Sequence, residues 1–366
     1  MEKIAIVGGG IIGLTLANYL DRKKFEITLF DQPTGQATGA SAGIISPWLS
    51  KRRNKQWYAL AKDGAAFFPR LIQDFDLDTT IYQQSGTILL RGEKQLEELY
   101  SLAKTRRTEA PEIGDIRLLK AEETAERFPL LKPAPSLFVS GGGRLDGKAY
   151  LRRLRALAES KGIRLENQRV RLQQSSSLEL LVDQQPLDFD RIVLTPGPHL
   201  KDLLAPLGIK ADIRPQKGQL LVFNTKEHQS ADWPVAMLDG EADLIPFQQG
   251  KILLGATHEN DEGWDLAPTP EAFQQLTSSA AAFLADPEGL FDQPYDYRVG
   301  TRAYTSDFAP FFGIVQDNLL AASGLGSSGL TTGPYIGYLL AKYLNGKTVD
   351  WSIYQKPLGN YLKKEK

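Results

Sequence analysis

The run Lys3-Ile-Ala-Ile-Val7 is followed directly by Gly8-Gly-Gly10-Ile-Ile-Gly13. The first run is short and apolar, as in a fully buried strand, and the second is a G-x-G-x-x-G motif placed to open a helix. Apolar residues then recur at helical spacing between positions 12 and 20, and Phe25-Glu-Ile-Thr-Leu-Phe30 predicts a second strand that ends at Asp31. This stretch therefore predicts a complete βαβ unit.

Each glycine of the motif has a physical task. Gly8 makes the tight turn, Gly10 lets the backbone approach a pyrophosphate, and Gly13 lets helix and strand pack closely. The helix start supplies free N–H groups and the positive end of the helix dipole. Asp31 stands where a carboxylate accepts hydrogen bonds from an adenosine ribose. The stretch predicts a dinucleotide site, and the alternative interpretation is an ordinary tight strand-to-helix turn.

Composition limits the possible functions. The chain has 366 residues, so two domains are expected. It has no cysteine, which excludes disulfides, thiolate metal sites and a cofactor tethered through sulfur. The three histidines lack metal-ligand spacing, so no metal site is predicted; they are His199, His228 and His258. Forty-three basic and 44 acidic side chains leave a net charge of −1, and nothing global indicates nucleic acid binding.

No targeting or membrane segment is predicted. The start Met1-Glu-Lys3 and the short apolar run after it do not resemble a signal sequence, and no run approaches about twenty apolar residues. The expected location is the cytoplasm.

A second glycine-rich turn lies near the end of the chain. Asn318-Leu-Leu-Ala-Ala-Ser323 predicts a strand, Gly324-Leu-Gly-Ser-Ser-Gly329 a turn, and the apolar residues 330–344 a helix. A second helix N-terminus fits the carbonyl edge of an isoalloxazine, where negative charge develops when a flavin accepts a hydride. The alternative is another plain strand-to-helix joint.

The middle of the chain supplies further elements. The small residues 37–43 could line the same ligand, and Asp146 is a good N-cap for a helix over residues 147–160. Arg191-Ile-Val-Leu-Thr195 predicts a strand that returns the chain to the nucleotide-binding sheet. Residues 216–299 contain short strands between loops, a mainly antiparallel pattern. The final residues, 363–366, are predicted to be a frayed tail.

The motifs of this sequence resemble those of the FAD-dependent D-amino acid oxidase superfamily, in its glycine oxidase and sarcosine oxidase branch. The resemblance runs nearly end to end. It rests on Gly8 to Gly13 with Asp31, Ser41-Ala-Gly43, Gly141-Gly-Gly143, Thr195-Pro-Gly197, Lys217-Gly-Gln219, Leu254-Gly-Ala-Thr257, Gly300-Thr-Arg-Ala-Tyr-Thr-Ser-Asp307, Pro310, Gly313, Ser323-Gly-Leu-Gly326 and Gly329.

This resemblance implies an α/β fold with two domains. A Rossmann-like FAD-binding domain would be built from residues 1–80, 143–215 and 300–366, and a mainly antiparallel α+β substrate domain from 81–142 and 216–299. The implied reaction is hydride transfer to flavin from a carbon that bears an amine, followed by hydrolysis of the imine. The expected substrate is glycine, sarcosine or a D-amino acid.

The resemblance also implies roles for individual residues. Asp31 would hold the ribose, the Val170 backbone the adenine, and Arg302 the substrate carboxylate, with a structural salt bridge as the alternative role of Arg302. The implied cofactor-binding residues are Gly8, Gly10, Ile11, Ile12, Gly13, Asp31, Gln32, Ser41, Ala42, Gly43, Val170, Thr195, Pro196, Gly197, Gly300, Arg302, Gly324, Leu325, Gly326, Ser327, Ser328, Gly329 and Leu330.

The sequence departs from the family pattern in two places. Amino acid oxidases have a Tyr-x-x-Pro loop whose tyrosine helps to hold the carboxylate, and this chain has Asp243-Leu-Ile-Pro246 there. A carboxylate at that position would repel an acid and favour an amine. Asp243 and Tyr304 are further candidates for the catalytic pocket. With no cysteine, and with Trp48 where a linking histidine would stand, FAD is expected to be bound non-covalently.

Other functions stay open. Residues 323–332 and 46–50 also resemble the oxidase domain of the bifunctional enzyme that matures the tRNA wobble uridine. The basic clusters Lys51-Arg-Arg-Asn-Lys55 and Arg152-Arg-Leu-Arg155 would then contact phosphates, although the neutral net charge argues against a tRNA substrate. A flavin-binding protein without catalysis is a third hypothesis. An NAD dehydrogenase is less favoured, and a hydrolase lacks its nucleophile elbow. The protein is expected to be a monomer or a homo-oligomer.

Overall fold

The computed structural model describes residues 1–50, 54–175, 177–240 and 242–365. The strands are β1 (Glu2–Val7), β2 (Phe25–Phe30), β3 (Ile44–Ile45), β4 (Tyr82–Gln83), β5 (Thr87–Leu89), β6 (Ile116–Leu119), β7 (Ser136–Val139), β8 (Gly143–Leu145), β9 (Arg164–Glu166), β10 (Val170–Gln174), β11 (Leu178–Val182), β12 (Gln185–Leu187), β13 (Arg191–Leu194), β14 (Ile209–Ala211), β15 (Arg214–Asn224), β16 (Val235–Met237), β17 (Asp243–Pro246), β18 (Lys251–Gly255), β19 (Tyr295–Tyr304), β20 (Phe311–Gln316), β21 (Leu319–Ser323) and β22 (Leu362–Lys364). The α-helices are α1 (Ile11–Tyr19), α2 (Lys55–Ala66), α3 (Phe68–Phe75), α4 (Glu93–Arg107), α5 (Ala121–Arg127), α6 (Gly147–Ser160), α7 (Leu200–Leu204), α8 (Pro270–Ala281), α9 (Pro287–Phe291) and α10 (Gly329–Leu344).

A six-stranded sheet has the order β20-β21-β13-β1-β2-β9. All of its pairs are parallel except β20 with β21, and the chain order reverses between β1 and β13. This is the Rossmann-like arrangement, in which ligands bind at the point of reversal. The predicted βαβ unit is confirmed, and so is α6, where the Asp146 carboxylate accepts a hydrogen bond from the Ala149 N–H at 2.9 Å.

An eight-stranded sheet has the order β19-β15-β18-β17-β16-β5-β7-β6. Six of its seven strand pairs are antiparallel, which confirms the mainly antiparallel pattern. Strand β19 of this sheet was not predicted from the sequence, because the segment Tyr-Asp-Tyr-Arg-Val-Gly-Thr-Arg-Ala-Tyr mixes charged and apolar residues without clean alternation. The division of the chain into two domains at the stated boundaries stays a prediction.

The C-terminal segment is ordered, so the prediction of a frayed tail is wrong for residues 363–365. Strand β22 pairs antiparallel with β14, and the Glu365 N–H donates to the Gly208 carbonyl at 2.7 Å. The preceding Tyr361 is buried and its ring stacks on Phe311 with centroids 5.0 Å apart. This aromatic contact fixes the direction of the chain just before its end, and sequence periodicity gave no sign of it.

None of the described helices is both long enough and apolar enough to cross a membrane.

Helices α1 and α10 pack side by side with almost no space between their backbones. A Cβ atom added at Gly337 of α10 would lie 2.8 Å from the Ile12 carbonyl oxygen, and one added at Gly333 would lie 2.5 Å from Ile11 Cγ2. Both distances are shorter than a van der Waals contact. The two glycines therefore allow the helices to approach more closely than side chains would permit.

We predict that Gly337→Ala lowers the free energy of unfolding by about 1–3 kcal/mol, because overpacking against the α1 backbone outweighs the gain in helix propensity of about 1 kcal/mol. Urea unfolding at constant FAD concentration measures this difference. Gly359→Ala is the matched control, since an added Cβ there meets no described atom within 4 Å. Equal unfolding free energies for Gly337→Ala and the wild type would show that the helices can move apart without cost.

Candidate functional site

A cavity of about 900 Å³ lies where the carboxyl ends of β1, β13 and β21 face the eight-stranded sheet. Its walls include the turns after these three strands, and residues of β15, β17, β18 and β19 close the opposite side. The volume is near the upper end of the range for ligand pockets, roughly 300–1,000 Å³. The cavity occupies the position at which open α/β sheets bind ligands.

The glycines of the first turn divide into two kinds. Gly8 has a φ of +106°, and a Cβ added there would lie 2.4 Å from the Thr195 carbonyl oxygen. A Cβ added at Gly13 would lie 2.0 Å from the Gly8 carbonyl oxygen. At Gly10, by contrast, the nearest described atom would be Thr38 Oγ1 at 3.9 Å, and Gly10 lines the cavity. The missing side chain of Gly10 therefore leaves room for a ligand rather than for protein.

Both glycine-rich turns bring a helix N-terminus to the cavity. The residues that line it are Ile11 and Ile12 of α1 and Gly329 and Leu330 of α10. Neither described N-cap residue caps its helix with its own side chain, although the Ile11 N–H donates to Thr38 Oγ1 at 3.3 Å. Uncapped N–H groups and the positive ends of two helix dipoles favour electron-rich ligand atoms. Residues of the second turn line the same cavity as residues of the first turn, which a plain strand-to-helix joint would not require.

Asp31 is buried at the end of β2 and already has protein partners. Its Oδ1 accepts from the Gly9 N–H at 2.9 Å, and its Oδ2 accepts from Gln36 Nε2 at 3.0 Å and forms a salt bridge with Arg155 Nη2. A carboxylate has about four lone-pair sites, so one is left for a ligand hydroxyl. Arg155 and Gln36 therefore fix the orientation of this carboxylate.

All but two of the implied cofactor-binding residues line the cavity. Those that line it are Gly8, Gly10, Ile11, Ile12, Asp31, Gln32, Ser41, Ala42, Gly43, Val170, Thr195, Pro196, Gly197, Gly300, Arg302, Gly324, Leu325, Gly326, Ser327, Gly329 and Leu330. Gly13 packs inside the first turn, and the Ser328 hydroxyl accepts from Trp57 Nε1 at 3.0 Å behind the wall. Their individual roles toward a cofactor stay predictions.

Thr38 lines the cavity, as predicted for the run of small residues 37–43. Further lining residues that were not predicted from the sequence include Gln36, just before that run, and His199 and Trp264, whose rings pack with centroids 4.4 Å apart. Trp264 is half exposed, and burial lowers the pKa of His199. No periodic signal marks these residues, because loops bring them together. No group of three potential metal ligands occurs within the part of the chain that the structure describes.

Arg302 projects from β19 into the cavity. Its Nη1 donates to the Thr257 carbonyl at 2.8 Å and to Gln216 Oε1 at 3.4 Å. Arg302 forms no salt bridge with any described residue. Burial lowers its pKa, and the negative charge of Glu259, which pairs with Lys217 at 3.8 Å, acts in the opposite direction. A Cβ added at Gly218 would lie 2.5 Å from Arg302 Nη1, so the guanidinium rests on the β15 backbone. The described residues therefore give Arg302 no structural ion pair.

Asp243, the first residue of β17, also lines the cavity. Its Oδ1 accepts from the Leu238 N–H at 3.1 Å. Burial raises the pKa of Asp243 to about 7, although the positive charge of Arg91 acts in the opposite direction. Its register partner on β18 is Gly255, which places no side chain beside the carboxylate. Asp243 and Arg302 thus contribute opposite charges to one cavity.

Tyr304, the third predicted catalytic residue, does not line the cavity. It is buried, its ring contacts Phe308 edge to face with centroids 5.4 Å apart, and a Cβ added at Gly326 would lie 2.9 Å from its Cε1. In this position it supports the second glycine-rich turn.

Two residues of the predicted basic clusters, Arg153 and Arg155, make internal contacts, whereas Lys55 and Arg152 are exposed. Arg153 donates to the Phe75 carbonyl at 2.9 Å and pairs with Asp76, and Arg155 pairs with Asp31. Lys51, Arg52 and Arg53 are outside the described residues.

These features fit a flavin dinucleotide. One glycine opens the wall at a helix N-terminus, a held carboxylate stands at the end of β2, and a second helix N-terminus faces the same space. A family model described as FAD dependent oxidoreductase, DAO, matches residues 3–343. The chain belongs to the DAO family of FAD-dependent oxidoreductases. It is therefore an FAD-dependent enzyme.

Individual relatives of this DAO-family enzyme cover nearly its whole length. It is 37% identical over 365 residues to the uncharacterized oxidoreductase YurR of Bacillus subtilis (strain 168). The matched region covers 96% of this chain and 97% of YurR. It is 28% identical to the glycine oxidase of Pseudomonas aeruginosa, over 94% of this chain and 95% of that protein. Its structure is similar to the crystal structure of iminodiacetate oxidase (IdaA) from Chelativorans sp. BNC1, with a TM-score of 0.90, 30% identity and 98% coverage of both chains.

The chain is also 28% identical to the tRNA 5-methylaminomethyl-2-thiouridine biosynthesis bifunctional protein MnmC of Caulobacter vibrioides, over 95% of this chain and 55% of that protein. Both resemblances drawn from the sequence motifs are therefore confirmed.

We predict that Gly10→Ala weakens FAD binding at least tenfold and leaves the unfolding free energy of the apoprotein within about 0.5 kcal/mol of wild type, because the added methyl group projects into the cavity and not into protein. Fluorescence titration of the apoprotein with FAD measures the first effect, and urea unfolding the second. A loss of apoprotein stability would mean that Gly10 is fixed by packing, as Gly13 is.

The raised pKa of Asp243 predicts a pH-dependent cost in stability. The folded pKa of about 7 lies above the ordinary aspartate pKa of 3.8, so the folded protein holds the proton more tightly and loses stability as pH rises from about 4 to 7. Asp243→Asn removes this cost. It should raise the unfolding free energy at pH 8 by roughly 1–4 kcal/mol, at about 1.4 kcal/mol per pKa unit, and by much less near pH 4. Urea unfolding between pH 4 and 8 tests this, with the exposed Asp296→Asn as the matched control.

Proposed function

We propose that this enzyme oxidises the C–N bond of a small amino acid or secondary amine that carries a carboxylate. The observation that carries the proposal is Arg302, a largely buried arginine that lines the cavity and forms no salt bridge with a described residue. Buried charges in proteins are normally paired, so the missing anion is expected from the substrate.

The geometry of Arg302 supports a carboxylate partner. Its Nη1 is directed at two protein acceptors, Thr257 and Gln216. No described residue accepts a hydrogen bond from Nε or Nη2, and the edge that these two atoms form matches the two oxygens of a carboxylate. Two similar proteins are named for glycine and for iminodiacetate, and both of these compounds contain a nitrogen–methylene–carboxylate unit.

We further propose how the chain holds FAD. The N-terminus of α1 binds the pyrophosphate, Asp31 the ribose and the Val170 backbone the adenine, while residues 41–43 line the flavin and residues 324–329 face its pyrimidine edge. Bound FAD supplies the hydride acceptor. The residues of the eight-stranded sheet then hold the amine-bearing carbon next to it and exclude water.

A tRNA nucleoside is the second candidate substrate. It is favoured by the match to 55% of the length of MnmC, over 95% of this chain. Against it stand the internal contacts of Arg153 and Arg155, which remove two of the proposed phosphate contacts.

The visible spectrum of the FAD-loaded protein, recorded under argon, separates these proposals. Glycine, sarcosine, iminodiacetate and a panel of D-amino acids are added in turn. Bleaching of the flavin absorbance by one of them establishes oxidation of a small amine. A yellow protein that none of them reduces would move the assignment to the tRNA nucleoside or to flavin binding without catalysis.

We predict that Arg302→Met weakens the apparent affinity for the reducing amine by roughly 10–100-fold, because a charge-assisted hydrogen-bonded pair contributes about 1.5–3 kcal/mol. Arg302→Lys, which keeps the charge but loses the planar fork, should be intermediate. Stopped-flow reduction of FAD gives the affinities, and the FAD content of the purified variants is measured in parallel. Arg214→Lys, an exposed arginine on the neighbouring strand, is the control. Loss of FAD in place of loss of amine affinity would assign Arg302 to the cofactor.

A further inference from the structure

We propose that the Asp243 carboxylate takes a proton from the substrate ammonium group, and that the enzyme therefore selects amines that carry an ionisable N–H beside the carbon to be oxidised. This inference rests on the proposed function, since it concerns the same cavity and the same class of substrate. It adds to that function a residue that accepts the substrate proton and a reason for the choice of substrate.

The position of Asp243 supports such a role. One oxygen, Oδ1, is held by the Leu238 N–H at 3.1 Å, which fixes the carboxylate at the start of β17. No described residue donates a hydrogen bond to Oδ2, and Asp243 is one of the residues that line the cavity. Gly255, directly opposite on β18, lines the same cavity without a side chain. One oxygen is therefore anchored, while the other is left for a ligand N–H.

The proton step balances without another reactant. A substrate ammonium gives one proton to Asp243 Oδ2, so that a carboxylate and an ammonium become a carboxylic acid and a neutral amine. The nitrogen lone pair that is freed can then form the C=N bond as the adjacent carbon loses its hydride. Asp243 returns the proton to water after the product leaves. Hydride loss needs a neutral amine, whereas most free amines are protonated at neutral pH.

The charged groups around Asp243 are compatible with a base that works near neutral pH. Arg91 supplies a positive charge that acts on Asp243, but its guanidinium also pairs with Asp239 at 3.5 Å and donates to the Leu90 and Met237 carbonyls. His258 and Arg302 also line the cavity. Lys251 lies at the far end of the neighbouring strand β18. Burial raises the pKa of Asp243 to about 7 against this background, which suits a general base.

A different role for the same carboxyl group would have the opposite pH dependence. If Asp243 were protonated and donated a hydrogen bond to a substrate carboxylate, binding would weaken as pH rises through its pKa. A base must lose its proton first, so the reaction becomes faster over the same range. The sign of the pH profile therefore distinguishes the two roles.

The experiment compares wild type, Asp243→Asn and the exposed control Asp296→Asn, all loaded with FAD. Sarcosine, glycine and iminodiacetate serve as probes, and the rate of flavin reduction at low substrate concentration is measured by anaerobic stopped flow from pH 6 to 10. The FAD content and the unfolding midpoint of each variant show whether it is folded and loaded.

For the wild type and Asp296→Asn we expect the rate to rise with pH through a step near 7. Asp243→Asn should lack this step and react roughly 100-fold more slowly at pH 7.5, which is within the usual range for a general base. Its rate should recover toward wild type as pH approaches the pKa of the free amine, because neutral amine is then supplied by solution. A residue with a merely structural role would not produce this recovery.

Three results would overturn the inference while leaving the proposed function intact. They are an unchanged pH step in Asp243→Asn, an equal loss of rate at every pH, and a wild-type rate that falls as pH rises. If neither these three amines nor any of the D-amino acids of the panel reduces the wild-type flavin, the proposed function itself fails and this inference fails with it.

Discussion

The close contact between α1 and α10 is the constraint on which the site depends. In this fold the two helix N-termini face one cavity from helices that lie side by side, and ordinary side chains keep helix axes about 8–10 Å apart. Gly333 and Gly337 remove the side chains that would stand between the two backbones. As a result, β1 and β21 deliver both glycine-rich turns to the same point, and two positive dipole ends act on one bound molecule.

The register of β15 with β19 joins the second sheet to this arrangement. Gly218 lies opposite Gly300, and Gln216 lies opposite Arg302. A Cβ added at Gly300 would lie 2.7 Å from Ala40 Cβ, so the loop beside the first turn packs against β19. The Arg302 guanidinium packs against the backbone of Gly218. A shift of one residue in this pairing would turn every side chain to the other face. The same ladder thus positions the cofactor loop and the proposed carboxylate ligand.

Local patterns predicted the parts of the fold that depend on local physics. The β1-α1-β2 unit, α6 and α10 follow from apolar periodicity and N-capping, and the resemblance supplied the lining residues of the cavity. The sequence could not predict β19, the pairing of β22, or the contact between His199 and Trp264, because each is decided by partners far away in the chain. Nor could it show that Asp31 is shared with Arg155 or that Tyr304 lies behind the wall.

The two charges in the cavity give a physical basis for selectivity. Burial lowers the pKa of Arg302 and raises that of Asp243, so the folded protein disfavours both charged forms. A substrate with a carboxylate and an ammonium group offers each of them an opposite charge. A simple acid would satisfy Arg302 and face repulsion from Asp243, whereas a simple amine would leave Arg302 unpaired. Under the proposed function, the enzyme discriminates against simple acids and simple amines because each leaves a charge in the cavity without a partner. The shape of the cavity need contribute little to this discrimination.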